Sequence, residues 1–100
     1  MAYELLVGLE VTDDDIYQAY RQAMKPILAS YGGGFGVDFR VSEVLLPEAE
    51  PNINRVFTIY FRDEAAKNDF FTDSDYLEVK EKYFESSVAG TSIFASYGRD

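Results

Sequence analysis

Residues 3–31, YELLVGLEVTDDDIYQAYRQAMKPILASY, change from one apolar pattern to another at Thr12. Between Tyr3 and Val11 every second side chain is apolar, which predicts a β-strand with one apolar face. Beyond Thr12 the apolar side chains recur at spacings of three and four, which predicts an amphipathic helix. Thr12 is its expected N-cap and Gly32 its C-terminal glycine. The predicted buried stripe of this helix consists of Ile16, Tyr20, Met24, Ile27 and Tyr31.

Two further alternating stretches are expected to extend the sheet. Phe35–Leu46 and Asn54–Arg62 both alternate apolar and polar side chains, which predicts the second and third strands. The connection Pro47–Ile53 holds two prolines and two glutamates, which predicts a turn. Because strands joined by a short connection usually pair side by side, we expect an antiparallel hairpin.

The C-terminal part of the chain is expected to add a helical segment and a last strand. Asp63 is the predicted cap of a short helix, and Asp73 or Ser74 that of a second helical piece. Thr91–Tyr97 alternates again and predicts the fourth strand. The order β-α-β-β-α-β is ferredoxin-like, so we expect one α+β domain over residues 1–100. It should have a four-stranded antiparallel sheet with both helices on one face.

The alternation predicts two different faces for this sheet. The face under the helices is expected to carry Leu5, Val7, Leu9, Val37, Phe39, Val41, Phe57, Ile59 and Phe61. The opposite face is expected to carry Glu4, Leu6, Glu10, Asp38, Arg40, Ser42, Thr58, Tyr60 and Arg62. This second face is neither fully polar nor fully apolar, and the chain's own helices would leave it bare. We therefore expect a second copy of the chain to cover it in a homodimer.

Charge and composition exclude several classes of function. Eighteen acidic against nine basic side chains give a formal net charge of −9, which argues against nucleic acid and against an anionic membrane surface as partners. The chain has no cysteine and no histidine, which excludes thiolate nucleophiles, iron–sulfur clusters, a Ser-His-Asp triad and histidine-ligated haem. We expect no metal and no organic cofactor. No apolar run approaches the ~20 residues that cross a bilayer, and no signal peptide is recognisable, so a cytoplasmic protein is expected.

Several local features occur together along almost the whole chain. They are the first strand, the helix with Tyr17 and Tyr20, the run Gly32–Phe35, Arg55 at the start of the third strand, the spacing of Phe61, Ala66 and Phe70, and Ser74-Asp75-Tyr76. Together they resemble the domain-of-unknown-function family 1330, which belongs to the dimeric α+β barrel superfamily. The resemblance implies a ferredoxin-like fold and a dimer whose two sheets form a barrel. It implies no established reaction and no catalytic residue.

The chain departs from the family pattern at two places. Tyr60 stands where relatives often carry an acidic side chain, and Tyr83-Phe84 stand where they often carry an arginine. If those charged groups form a site in relatives, this chain has altered it.

Two arginines are candidate ligand-binding residues. Arg40 and Arg55 are expected on or beside the sheet, where an inward-facing guanidinium can hold a carboxylate or a phenolate. The alternative is an ion pair with Asp38, with Glu43 or with an acidic side chain of a second copy.

Two tyrosines are the other candidates. Tyr20 on the buried helix stripe and Tyr60 on the bare sheet face can donate phenol hydrogen bonds to a ligand. The alternative is core packing, with each hydroxyl bound to a neighbouring group. A general base, if the protein uses one, has to be a carboxylate such as Asp38 or Glu10 with a pKa raised by burial.

Two functions from different classes are consistent with this pattern. The first is a cofactor-independent small-molecule enzyme or binder for a small organic carboxylate or phenolic ligand. The second is a non-catalytic dimerisation module whose interior is filled by side chains. A cavity with converging polar groups favours the first, and a packed interior favours the second.

Overall fold

The computed structural model describes residues 2–46 and 52–99, and it confirms the predicted β-α-β-β-α-β order. The strands are β1 (Ala2–Val11), β2 (Gly34–Arg40), β3 (Arg55–Phe61) and β4 (Val88–Arg99). The helices are α1 (Asp14–Ser30), α2 (Glu64–Thr72), α3 (Ser74–Val79), a π-helical turn (Lys80–Phe84) and α4 (Glu85–Ser87). The four strands form one antiparallel sheet in the order β2-β3-β1-β4, which is the ferredoxin-like arrangement. Most of the predicted turn Pro47–Ile53 lies outside the described residues.

The first helix begins one residue later than predicted. Asp13, not Thr12, is the N-cap, and its carboxylate accepts a hydrogen bond of 3.0 Å from the Ile16 amide. The Thr12 amide instead donates to the Ser87 carbonyl at 2.8 Å, so Thr12 still belongs to the strand side of the junction. At the other end Gly32 adopts a left-handed φ of 67°, which confirms the predicted C-terminal glycine.

The second strand contains an irregularity that the sequence pattern does not predict. Phe35 pairs with Ile59 but Asp38 pairs with Phe57, so one extra residue lies on β2. The Val37 amide donates to Thr58 Oγ1 at 3.0 Å, and a Cβ at Gly36 would collide with the same oxygen. This β-bulge turns the side chains beyond it to the other face of the sheet.

The predicted faces of β2 are therefore wrong beyond the bulge. Asp38 and Arg40 lie on the helix side of the sheet, where their strand partners are Phe57 and Arg55. Val37 and Phe39 lie on the opposite face with 49% and 57% of their surfaces exposed. The strand also ends at Arg40 instead of Leu46, and its last contact with the segment of β3 is the 2.9 Å hydrogen bond from the Val41 amide to the Asn54 carbonyl. No strand face is therefore assigned to Val41 or Ser42.

The last strand is longer than predicted, since it begins at Val88 and not at Thr91. Ser87 is fully buried and donates from Oγ to the Tyr83 carbonyl at 2.9 Å, which ends the helical segment. A bulge between the pairs with Leu6 and Val7 leaves Phe94 as an extra residue. Its ring stands over Gly8 on the face opposite the helices.

The core lies between the helices and one face of the sheet. Its buried apolar residues are Leu5, Val7, Leu9, Val11, Tyr17, Tyr20, Met24, Leu28, Phe57, Ile59, Phe61, Ala66, Phe70 and Tyr76. The buried stripe of α1 is rotated from the predicted one, because Tyr17, Arg21 and Leu28 are buried whereas Ile16 and Ile27 are only half-buried. The helix thus carries an arginine into the core.

Candidate functional site

A small cavity lies between the helix side of the sheet and helix α1, with a volume of about 70 Å³. Its walls are aliphatic and aromatic side chains from the sheet, from α1 and from the π-helical turn. The side chains with polar groups in its lining are Tyr17, Tyr20, Arg21 and Thr91. The lining is therefore apolar with a few polar groups from one helix and one strand, which is the usual composition of a ligand site.

Arg21 is the most unusual residue of this lining, because only 5% of its surface is exposed. Its Nε donates to Tyr17 Oη at 2.9 Å, and its Nη1 donates to Asp38 Oδ2 at 3.1 Å. Its Nη2 is buried and has no hydrogen-bond partner within residues 2–46 and 52–99. Buried polar atoms of this kind are rare in folded proteins, since leaving one unsatisfied costs about 1–3 kcal/mol.

Two aromatic side chains of the sheet pack against the Arg21 guanidinium. Its carbon lies 4.0 Å from the centroid of the Phe35 ring and 4.5 Å from that of Phe57. Cations are attracted to the faces of such rings, and the attraction is stronger away from water. Arg21 is consequently fixed by its hydrogen bonds and by the two rings before any ligand binds.

Asp38 connects this arginine to a second one. Arg55 donates from Nε and Nη2 to the two carboxylate oxygens of Asp38, both at 2.8 Å. This bidentate bond and the nearby Arg21 guanidinium hold the pKa of Asp38 below its usual value, and the same bond raises the pKa of Arg55. The pKa of Asp38 is therefore shifted in the direction opposite to the one that a general base at this position would require. One carboxylate faces two guanidiniums, so the cluster keeps one unbalanced positive charge.

Three tyrosine hydroxyls lie next to the charged cluster. Tyr20 Oη and Tyr76 Oη share a hydrogen bond of 2.8 Å, and burial raises the pKa of both phenols. Burial also raises the pKa of Tyr17 against the opposing effect of Arg21. All three phenols are therefore protonated at neutral pH. Tyr17 Oη accepts from Arg21, and its own proton has no acceptor among the described residues.

The four side chains predicted as site residues do not lie together. Tyr20 lines the cavity, whereas Arg55 does not. Tyr17 lies between the two residues: its ring centroid is 5.8 Å from that of Tyr20 and 5.3 Å from the Arg55 guanidinium carbon. The side chain of Arg40 is 76% exposed and comes within 4.0 Å of Asp14. Tyr60 belongs to the opposite sheet face.

The face of the sheet opposite the helices is called the open face from here on. Its members include Glu4, Leu6, Val37, Phe39, Thr58, Tyr60, Phe94 and Tyr97. Glu4 accepts a hydrogen bond of 2.6 Å from Tyr97, and the Arg99 guanidinium lies 4.6 Å from the Tyr60 ring centroid. The apolar side chains of Val37, Phe39 and Phe94 on this face, by contrast, are substantially exposed.

Sequence reasoning missed Arg21 and the position of Asp38. Arg21 lies four residues after Tyr17 and three before Met24, so its spacing places it on the buried side of helix α1. This spacing was the signal in the sequence from which a buried arginine could have been predicted. For Asp38 the signal was Gly36, because glycine inside a strand often marks a bulge.

Neither a membrane span nor a metal cluster is found in the part of the chain that the structure describes. No helix there combines the length and the apolar character needed to cross a bilayer. No group of three or more acidic side chains there is placed to bind one ion.

Comparison with solved structures identifies the fold. A protein of unknown function from Rhodopseudomonas palustris is 17% identical, with a TM-score of 0.76 over 96% of this chain and 80% of that one. A dimeric protein of unknown function with a ferredoxin-like fold from Bacteroides fragilis is 11% identical, with a TM-score of 0.65 over 98% and 96%. A putative antibiotic biosynthesis monooxygenase from Nitrosomonas europaea is 13% identical, with a TM-score of 0.59 over 98% and 89%.

Comparison of sequences is more specific than comparison of folds. No functionally curated protein matches it significantly. The sequence profile of one family, described as a domain of unknown function and designated DUF1330, matches residues 2–97. This match spans both strand pairs, all the helices and the cavity with its buried arginine. The chain therefore belongs to the DUF1330 family.

Proposed function

We propose that this protein binds a small organic anion, without a metal or organic cofactor, in the cavity beside Arg21. The observation that supports this most directly is the buried Arg21 Nη2, which has no partner among the described residues. The excess of one positive charge over Asp38 supports it as well. Arg21 and Arg55 share the single carboxylate of Asp38, so an anionic ligand would supply both the second negative charge and the hydrogen-bond acceptor that Nη2 lacks.

The proposed binding mode uses groups that the fold already holds in place. One oxygen of the ligand accepts from Arg21 Nη2, and another accepts the free proton of Tyr17. Asp38 and Arg55 do not contact the ligand, but they keep the Arg21 guanidinium in position. Tyr20 forms part of the wall together with apolar side chains, which accept the carbon skeleton. A carboxylate supplies two oxygens for these donors, and a phenolate supplies one oxygen that both donors would share.

The test compares two arginines of the same chain. Arg21→Met removes the buried cation and keeps an apolar side chain of similar length, while Arg40→Met makes the same change at an exposed position. Amide chemical shifts of ¹⁵N-labelled protein are followed while acetate, pyruvate, benzoate and 4-nitrophenolate are added. We expect at least one of the four anions to cause shifts around the cavity in the wild type and in Arg40→Met, and none of them to do so in Arg21→Met. Equal binding by a folded Arg21→Met protein would refute the proposal.

We infer further that two copies associate through their open faces. Phe39 and Phe94 are 57% and 55% exposed there, and exposed apolar groups on an unpartnered sheet favour a second copy as cover. The related structure from Bacteroides fragilis is described as dimeric, which supports the same assembly here. Sedimentation at micromolar concentration is expected to give twice the mass of one chain, and a monomer would count against this assembly.

A non-catalytic dimerisation module is the second candidate. Its support is the size of the cavity, because about 70 Å³ is well below the ~300–1,000 Å³ of typical ligand pockets. This candidate predicts a dimer that binds none of the four anions. The titration described above therefore separates the two functions.

A further inference from the structure

We infer that the ligand of this cavity is a short-chain aliphatic carboxylate, and that Phe84 excludes ligands with an aromatic ring. This inference rests on the proposed function and narrows it. Three observations support it: the small volume of the cavity, the two hydrogen-bond donors Arg21 and Tyr17 in its lining, and the contribution of Phe84 from the π-helical turn to its wall.

The volume argues against a ring. An apolar cavity that binds benzene measures roughly 150 Å³, whereas this one measures about 70 Å³. A benzoate or a phenolate would have to bury its ring there, because the ring carries most of its apolar surface. A carboxylate with one to a few aliphatic carbons is small enough for the space, and small movements of the side chains beside Arg21 let it reach the buried Nη2.

The donors argue for a carboxylate. Nε and Nη2 share one edge of the planar guanidinium, and Tyr17 Oη is bound to Nε at 2.9 Å. Nη2 therefore lies on the guanidinium edge that Tyr17 Oη already contacts, and rotation of the phenol hydrogen about its C–O bond lets Tyr17 donate to a second ligand oxygen at that edge. Two adjacent donors match the two oxygens of a carboxylate, whereas a phenolate offers a single oxygen.

Phe84 forms the part of the cavity wall that comes from the π-helical turn. Its ring centroid lies 5.0 Å from that of Tyr20, and the side chain is half-buried. A π-helical turn contains one more residue than an α-helical turn, and here both Tyr83 and Phe84 pack against the core. Such turns occur frequently at functional sites. The extra residue supplies the ring that limits ligand size.

The experiment compares ligand preference in three full-length proteins. The wild type, Phe84→Ala and Phe71→Ala are titrated with acetate, propionate, pyruvate and benzoate, and dissociation constants are taken from amide chemical shifts. Phe71 is the matched control, because it belongs to the same aromatic group but does not line the cavity. Dispersed amide spectra establish that each protein is folded. Phe84→Leu replaces the alanine variant if that one fails to fold.

We expect the wild type to bind the best short carboxylate at least about tenfold more tightly than benzoate. In Phe84→Ala benzoate should gain about tenfold or more while acetate changes by less than about threefold, and Phe71→Ala should keep the wild-type preference.

Failure of this inference and failure of the proposed function give different results. If wild-type protein binds benzoate as tightly as acetate, and Arg21→Met loses both, the limit on ligand size is overturned while anion binding stands. An unchanged preference in folded Phe84→Ala or Phe84→Leu overturns the role of Phe84. If the folded wild type binds none of the anions, the proposed function fails, and the inference fails with it.

Discussion

Arg55 on β3 donates two hydrogen bonds of 2.8 Å to Asp38 on the adjacent strand β2, and Arg21 donates a third one of 3.1 Å to the same carboxylate. Helix α1 is thereby connected to the edge of the sheet through one carboxylate that two guanidiniums share. Asp38 is therefore the acidic side chain that balances charge on both the buried and the partly buried arginine.

Loss of the Asp38 charge is expected to destabilise the protein. Asp38→Asn leaves the buried Arg21 and the partly buried Arg55 without a counter-charge, and removing one partner of such a cluster should cost about 2 kcal/mol. Urea unfolding of both proteins measures the difference. Asp14→Asn is the control, since its 4.0 Å contact with Arg40 is exposed and should contribute less than about 0.5 kcal/mol.

The contribution of Asp38 is expected to depend on pH. Because its pKa is lowered in the folded state, its stabilisation is fully present above the unfolded pKa of about 4 and is lost as pH falls through the lower folded value. The free-energy difference between wild type and Asp38→Asn should thus be constant from about pH 5 to pH 7 and shrink below about pH 4. A difference that grows on acidification would contradict the ion-pair assignment.

The buried tyrosine pair is expected to behave as one unit. Tyr20→Phe leaves the buried Tyr76 hydroxyl without its partner, and Tyr76→Phe does the same to Tyr20, so each change should cost about 1–2 kcal/mol. The double variant should cost clearly less than the sum of the two single ones, because no orphaned hydroxyl remains. Thermal or urea unfolding of the four proteins completes the cycle, and strict additivity would indicate that the hydroxyls do not interact.

A charged side chain introduced on the open face is expected to dissociate the proposed dimer into monomers. Phe39→Lys places a cation where the second sheet would pack, and it should weaken association by at least about tenfold. Leu77→Lys is the control, because Leu77 is 45% exposed on α3, away from the sheet. Sedimentation over a concentration series should show a shift towards monomer for Phe39→Lys only. Equal dissociation of both variants would place the interface elsewhere.

Much of the fold follows from simple periodicity. Strands β1 and β3 pair without irregularity and keep their alternation throughout, so their predicted faces match the structure. The caps at Asp63 and Asp73 were predictable because each carboxylate accepts amide hydrogens at a helix start. These features depend on residues that are close together in the sequence.

Two of the features that sequence patterns missed involve one extra residue in an element. The bulge in β2 moves Asp38 to the helix side, and the π-helical turn brings Phe84 to the core beside Tyr83. A period-based prediction assumes a constant step along each element, so a single extra residue reverses every later assignment. Arg21 was missed for another reason, because a stripe defined by apolar residues leaves out a buried charge whose partners are distant in the chain.

The additional residue at Gly36 sets both surfaces of β2 at once. Gly36 and Val37 together stand opposite Thr58, so Asp38 lies on the same side of the sheet as Phe35, while Val37 and Phe39 lie on the other side. If all these residues alternated without the bulge, Asp38 would turn outward and its two apolar neighbours inward, and the buried guanidinium would lose its acid. A deletion of Gly36 removes the surplus residue itself, so alternation from Phe35 would still point Asp38 inward, and both faces of the strand would outlast the loss of that codon.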